Sequence, residues 1–257
     1  MRVDDHHLVD AALSQARASA FAPGEYVDQQ SFVTAGEVLS LARRAGVAPG
    51  VRVLDLCCGV GGPGLHVMAE LGCDYLGVDA SAAAVDRARQ RASAAGLAAR
   101  FAVAHVPPLP PGRFDVVLLL ETLLAFADKP ALLGQVGAAL PVGGRFAFTV
   151  EEGLPLTAAE RAEMPGSDTV WLTPLETLRA DLEHHGLRVT WCTELTASHL
   201  ATVDALVSAY AAVAPALVPT TGEGAVTGIL TAHRTWGRWL REGRVRKFAL
   251  VAEKVSC

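Results

Sequence analysis

The chain predicts an α/β fold built on a parallel sheet, and two observations carry that expectation. From residue 51 onward, short apolar runs of strand length alternate with longer segments of helical period, and the strand runs are apolar at nearly every position. That is the pattern of a sheet covered by helices on both faces. The second observation is the stretch VLDLCCGVGGPG, residues 53–64, in which a strand runs into four glycines within six positions. Such a turn needs bare backbone, for a tight bend or for a ligand brought close to the chain.

Residues 3–20 mix acids, histidines and small residues at loosely helical spacing, which predicts an N-terminal helix broken by Pro23 and Gly24. In TAGEVLSLARRAGV, Val38, Leu39, Leu41 and Ala42 share one face, so a helix ends near Gly46. VRVLDL is then a buried strand, LHVMAEL a helix, DYLGVDA a strand, and SAAAVDRARQRASAAG a long helix stopped by Gly96. ARFAVA, FDVVLLL and GRFAFTV read as strands, with the stiff PPLPPG loop after the first and the helix KPALLGQVGAAL before the last.

The pattern changes after residue 150. Residues 151–172 look like loop, and TPLETLRADLEHHG is a helix with Thr173 as N-cap and Gly186 as its stop. LRVTWCTEL is a strand, helices are expected at 196–215 and about 225–241, and RKFALVAEK is the last strand. Because the late helices lie between two strands, they form an insertion or lid rather than a separate domain. The expected organisation is one domain over 1–257, with an N-terminal lid segment at 1–34, a cofactor-binding core at 47–151 and a helical lid insertion at 196–241.

Composition narrows the class. The chain is 51% hydrophobic, much of it alanine, so a sizeable core can be buried. A net charge of −5 argues against a nucleic-acid footprint, which needs a basic face. The apolar runs FDVVLLLETLLAF and RFAFTV are too short and too interrupted by charge to span a membrane. The N-terminus lacks the apolar run of a signal peptide. Five cysteines, an odd number without scaffold spacing, fit a reduced, cytoplasmic setting. A small-molecule partner is expected, with monomer and homodimer both open.

Three readings compete for the glycine stretch. A metal site would want further Cys or His ligands, but adjacent Cys57 and Cys58 point in opposing directions and His66 stands alone, so no metal is expected. Gly59-x-Gly61-x-x-Gly64, with Asp79 twenty residues beyond Gly59, matches a dinucleotide fingerprint and keeps an NAD-dependent oxidoreductase as an alternative. Two residues favour a third ligand. Asp55 lies in the strand four residues before Gly59, where a pyrophosphate gains nothing from a carboxylate and an ammonium group does. Pro63 removes an N–H that would face a phosphate.

On VLDLCCGVGG and YLGVDAS the chain resembles the class I S-adenosylmethionine-dependent methyltransferases. The resemblance continues through strands three to five, including the turn LPVGGR. It implies a Rossmann-like, three-layer αβα fold with a seven-stranded mixed sheet whose last strand is antiparallel. It implies S-adenosylmethionine as cofactor, with Asp55 toward the methionine ammonium, the Cys57 backbone beside the ligand, Gly59 and Gly61 admitting it, and Asp79 accepting both ribose hydroxyls. Ala80, Val106 and Leu120 fall at neighbouring positions of the same cofactor site. Where the family often carries an Asp against the adenine amine, this chain has His105, which accepts from that amine or caps the turn.

The runs EYVDQQSFVTAG and LLLETLLAFADKPALL are similar to the small-molecule branch that includes phosphobase, tocopherol and sterol methyltransferases. Carried over, Thr34 would meet the carboxylate end of the methionine, while Tyr26 and Gln30 would line the site; for Tyr26 an ordinary half-buried aromatic is the rival reading. Phosphobase enzymes place a histidine where this chain has Ala125, which speaks against a phosphoethanolamine substrate. Glu121, just after strand four, is the candidate catalytic residue, with a helix-start glutamate as the plainer reading. Glu151 follows strand five at the catalytic edge and is a candidate for substrate contact. His199, His233, Trp236 and Trp239 read as packing or a substrate roof, and RTWGRWLREGRVRK as a solvated helix face and turn. The expected activity is methylation of an N, O or C nucleophile on a small, specialised metabolite. A related fold that binds the cofactor but catalyses another reaction, such as a cyclisation, stays open because fold does not fix chemistry.

Overall fold

A computed structural model describes residues 11–256. Seven strands form one sheet in the order β3-β2-β1-β4-β5-β7-β6. They are β1 Arg52–Leu56, β2 Asp74–Asp79, β3 Arg100–Val103, β4 Val116–Leu119, β5 Arg145–Glu152, β6 Leu187–Glu194 and β7 Arg246–Lys254. β7 alone runs against its neighbours, pairing antiparallel with both β5 and β6. This is the seven-stranded mixed sheet expected from the sequence. Chain order reverses between β1 and β4, and in open sheets of this kind the ligand crevice opens beyond the carboxyl ends of the strands at that point.

The side-chain period of two distributes the core. Val53, Val116 and Leu118 face one side of the sheet, where they meet α2 (Ala35–Arg44), α3 (Gly62–Leu71) and α4 (Ala82–Ala94). Leu54, Leu56, Val117 and Leu119 face the other, against α5 (Lys129–Ala139) and α7 (Leu175–His184). Both faces are therefore apolar, and each fully buried Val or Leu contributes about 1.5–3 kcal/mol. Cys57 packs with the second face and Cys58 with the first, so the paired cysteines do point apart. All four cysteines among the described residues are free.

Over the carboxyl edge lies a helical layer formed by α1 (Ala11–Ser19), the short α6 (Ala158–Glu163), α8 (Thr196–Thr221) and α9 (Glu223–Arg241). Its own apolar cluster contains Met164, Val170, Val203, Trp236 and Trp239. α1 and α9 both pack on α8.

The structure corrects the sequence reading in several places. The supposed loop at 151–172 contains α6, started by a Thr157–Glu160 capping box, and a 3-10 turn at Ser167–Thr169. The N-cap of α7 is Pro174, not Thr173. α8 does not stop at 215 but runs to Thr221 through Pro215 and Pro219, because its antiparallel packing on α9 outweighs a proline penalty of about 3 kcal/mol. Thr196–Pro219 of this helix is long and apolar enough, by length and composition, to cross a membrane, and lies outside the two apolar runs weighed above. The N-terminal helix is described only from Ala11, and residues 3–10 of the expected 3–20 lie outside the described residues.

Gly64 marks where α3 crosses closest to the sheet. A Cβ there would lie 2.0 Å from the hydroxyl oxygen of Tyr75, a fully buried residue of β2. Gly64→Ala should therefore cost about 1–3 kcal/mol as an overpacking change, read as a lower urea midpoint. An unchanged midpoint would mean that Tyr75 can turn aside without loss.

Candidate active site

The four glycines after β1 do different jobs. Gly59 has φ +54°, and a Cβ built there meets nothing within 4 Å, so its face is open. Gly61 starts α3 in the left-handed region, and its Cβ would sit 3.0 Å from Ala88 and 3.1 Å from Phe101. A Cβ on Gly62 would be 1.9 Å from the carbonyl oxygen of Val27, so this position is reserved for the incoming N-terminal arm. Gly64 is reserved for Tyr75. Only Gly59 gives its space to a cavity; the other three give theirs to packing.

That cavity, about 170 Å3, is walled by the arm and the ends of β1 and β4. Gln30, Asp55, Cys57, Gly59, Leu120 and Glu121 are brought together in its lining. Asp55 accepts a hydrogen bond from the Tyr75 hydroxyl at 2.6 Å, and its burial pushes the carboxyl pKa up to about 7. Asp79, at the end of β2, accepts the Gly59 amide on Oδ2 at 2.8 Å and the Ser81 amide on Oδ1 at 2.9 Å. It thus holds the glycine turn to the start of α4. Burial, with the nearby Asp79 charge second, pushes the Cys57 thiol up to about 12.

The other expected residues stand elsewhere. Gly61 is buried under α4, and Ala80 follows Asp79 at the strand end. His105 is exposed and Val106 half-buried beyond β3; neither lines this cavity. Tyr26 packs against Phe21 with ring centroids 5.5 Å apart. Thr34 caps α2 through a capping box with Glu37, which engages its hydroxyl.

A second cavity of about 210 Å3 lies under the helical layer. It is lined mainly by apolar groups, among them Phe32, Leu124, Met164, Val170 and Trp236, with Glu121, Glu151 and His233 as its ionisable walls. Gln30, Ser31 and Glu121 belong to both linings, so the two cavities meet there. His233 Nδ1 bonds the Ile229 carbonyl at 2.7 Å, and burial holds its pKa down.

Between the cavities sits a buried charge cluster. Lys247 Nζ donates to Glu121 Oε1 and, at 2.5 Å, to Glu151 Oε1. Glu121 Oε2 accepts the Phe32 amide at 3.0 Å, and its own amide donates to Thr149 Oγ1 at 2.7 Å. The backbone of Glu121 holds φ +59°, a conformation that costs a residue other than glycine about 1–3 kcal/mol and collects at functional sites. Trp236 Nε1 donates to His199 Nε2 at 3.1 Å, so the neutral ring carries its proton on Nδ1, which faces Glu121 Oε2 at 4.0 Å. Burial holds the His199 pKa down to about 3.

Desolvation raises both carboxyls, and the Lys247 charge opposes it. The balance differs: Glu121 ends below the ordinary carboxylate value, whereas Glu151, which also feels Glu121, ends above it. The two carboxylates and Lys247 sum to one negative charge. Glu121, Glu151 and His199 bring ligand-type atoms within 4.8 Å of one another, and the ammonium of Lys247 supplies the positive charge among them.

The arm is fastened by Arg17, buried in α1. Its guanidinium donates to the carbonyls of Gln29 at 2.9 Å, Gln30, and Ser31 at 2.7 Å, and to the Tyr210 hydroxyl at 2.8 Å. Asp28 pairs with Arg91 of α4 at 2.9 Å. Sequence reasoning missed Arg17 and Lys247 as site residues, and gave His199 only as packing or a substrate roof, not as a neighbour of Glu121. The basic run that contains Lys247 reads as a solvated face, yet Lys247 is 1% exposed because the alternation of β7 turns it inward, opposite Glu151. Arg238, Arg241 and Arg244 of that run do pair with acids nearer the surface.

Comparison with known proteins bears on the family and the fold. The family described as "Methyltransferase domain" matches residues 7–191, well over half of the chain. The chain is 29% identical over 136 residues to phosphoethanolamine N-methyltransferase 1 of Arabidopsis thaliana, a match covering 51% of this chain and 28% of that protein. It is 32% identical over 157 residues to 27-O-demethylrifamycin SV methyltransferase of Amycolatopsis mediterranei, covering 56% and 58%. The chain thus spans less than two thirds of either relative. The cyclopropane synthase MmaA2 from Mycobacterium tuberculosis shares the fold, with a TM-score of 0.83, 13% identity, and coverage of 97% of this chain and 96% of that one. With the family match, the mixed seven-stranded sheet and the glycine turn after β1 in agreement, the chain belongs to the class I S-adenosylmethionine-dependent methyltransferases.

Proposed function

We propose that the protein binds S-adenosylmethionine in the first cavity and transfers its methyl group to a small, largely apolar molecule held in the second. The observation that carries this reading is the junction of the two cavities at Gln30, Ser31 and Glu121. The first cavity fits the cofactor's amino-acid end. Gly59 leaves open space where backbone must approach a ligand, and Asp55 offers a buried carboxylate to an ammonium group. Asp79 has accepted one amide hydrogen on each oxygen and keeps lone pairs for ribose hydroxyls.

When bound, S-adenosylmethionine supplies a methyl group on a positively charged sulfur. The chain's own contribution is alignment and exclusion of water. Segments 11–34 and 196–241 act as a lid, the first lining both cavities and the second only the second cavity, tied to each other by the Arg17–Tyr210 bond. Glu121 stands at the boundary, where its charge favours a positive centre, while its two oxygens are engaged by Lys247 and Phe32. Ala125, where phosphobase enzymes carry a histidine, is exposed and lines neither cavity. The apolar second cavity, with the 27-O-demethylrifamycin SV named for one relative, supports a hydrophobic acceptor over a phosphorylated base. A reduced, cytoplasmic setting suits the free cysteines.

The Asp55 assignment makes affinity pH-dependent. An acid whose folded pKa is raised to about 7 is ionised only above that value, and only the ionised form attracts an ammonium. Calorimetric affinity for S-adenosylhomocysteine should fall, by up to about tenfold per pH unit, as pH drops below 7. Asp55→Asn should bind more weakly, with that step absent; a flat profile in the parent protein would remove the assignment.

Turnover tests the reaction itself. Incubation with labelled S-adenosylmethionine and a panel of small apolar alcohols, phenols, amines and activated carbon acids should label at least one class. Glu121→Gln should then turn over at least about tenfold more slowly, roughly 1.4 kcal/mol, with S-adenosylhomocysteine affinity within about threefold of the parent. Parental turnover in that variant would reduce Glu121 to a structural tether. Addition of S-adenosylhomocysteine should also slow hydrogen exchange across 25–34 more than in the sheet, and equal exchange would count against a lid.

A further inference from the structure

Among the carboxylate oxygens of the buried cluster, one is left over. Glu121 uses Oε1 for Lys247 and Oε2 for the Phe32 amide, and Glu151 uses Oε1 for Lys247. Glu151 Oε2 is buried with no hydrogen-bond partner among the described residues. Its side chain is 3% exposed and lines the second cavity among apolar groups. An unsatisfied buried carboxylate oxygen is costly, and the cost is relieved by any ligand that brings it a hydrogen. The cluster's one uncompensated negative charge lies on the same side, since His199 is neutral and Lys247 serves two acids.

We infer that Glu151 Oε2 is the recognition point for the methyl acceptor, selecting an apolar molecule that presents an O–H or N–H group and rejecting one that presents a bare carbon or an ether. This rests on the methyltransferase reading above. In that reaction an O–C or N–C bond forms as the S–C bond breaks, and the proton on the acceptor heteroatom passes to Glu151 Oε2, leaving a neutral acid beside Lys247. The raised pKa of Glu151 suits a group that takes up a proton. Glu121, held by its two partners and lowered by Lys247, positions the base rather than acting as one.

Three matched probes test the inference without knowledge of the natural substrate: 2-naphthol, 2-naphthylmethylamine and 2-methoxynaphthalene, titrated by Trp fluorescence into protein saturated with S-adenosylhomocysteine. The first two should bind at least about tenfold tighter than the ether, because a site built around a buried polar atom rejects the analogue that cannot pair with it. The ranking of hydroxyl against ammonium then says which donor the site takes. In Glu151→Gln the amide oxygen keeps Lys247 and the NH2 replaces Oε2, turning an acceptor into a donor, so the preference should vanish or invert in favour of the ether. Equal binding of all three probes to the parent protein overturns the inference, as does failure of both donor probes to bind or a preference unchanged in Glu151→Gln. Loss of S-adenosylhomocysteine binding would instead count against the cofactor reading, and it is measured separately.

Discussion

The buried ammonium of Lys247 is the constraint on which the site's architecture depends. Removing a charge from water costs several kcal/mol, and only close opposite charges with good geometry offset it. Two glutamates do so here, Glu151 directly opposite on β5 and Glu121 at the end of β4. Each then recruits further structure. Glu121 takes a left-handed backbone to reach Lys247, is steadied by Thr149, and accepts the amide of Phe32, which brings the N-terminal arm down onto the sheet. His199 and Trp236 close the far side from α8 and α9. One cation thus joins the ends of three strands, the arm and the helical layer. Apolar replacement of such pairs is often neutral or stabilising, so stability alone gives little reason to keep them.

The glycine turn shows the same economy in reverse. Its glycines are needed mostly for what the protein itself brings close: α4 and Phe101 at Gly61, the arm at Gly62, Tyr75 at Gly64. The last of these reaches through to Asp55, whose carboxylate would otherwise stand buried without a donor. A packing requirement on α3 therefore prepares a polar group on β1. Arg17 plays a similar part on the other wall, satisfying three consecutive carbonyls of an irregular segment that has no sheet or helix to satisfy them.

How much of this was legible in the sequence follows from distance along the chain. The strands and helices of the core were readable because apolar period is local, and the Asp55, Gly59 and Asp79 group because it lies within one strand–turn–helix–strand unit. Glu121 was readable as an acid just after β4; Glu151, expected to follow β5, instead lies inside it, because the strand runs on to Glu152. Their partner was not: Lys247 lies 96 residues from Glu151, in a run whose arginines do face outward, and only the antiparallel register of β7 sets it opposite. His199 was equally silent, since a histidine in an alanine-rich helix carries no sign of the glutamate it will face. α8 itself was cut short because Pro215 is a stop signal locally, and its packing on α9 is not local.

Cys57 gives the geometry a chemical edge. Cys57 lines the first cavity, half-buried, with a left-handed backbone and Asp79 close by. A sulfonium methyl donor is an alkylating agent, and a thiolate beside it would be a stronger nucleophile than most alcohols or amines. The pKa of about 12 leaves that sulfur almost wholly protonated at neutral pH. Burial first, and the neighbouring Asp79 charge second, thus make the Cys57 sulfur a weaker nucleophile than a free thiol.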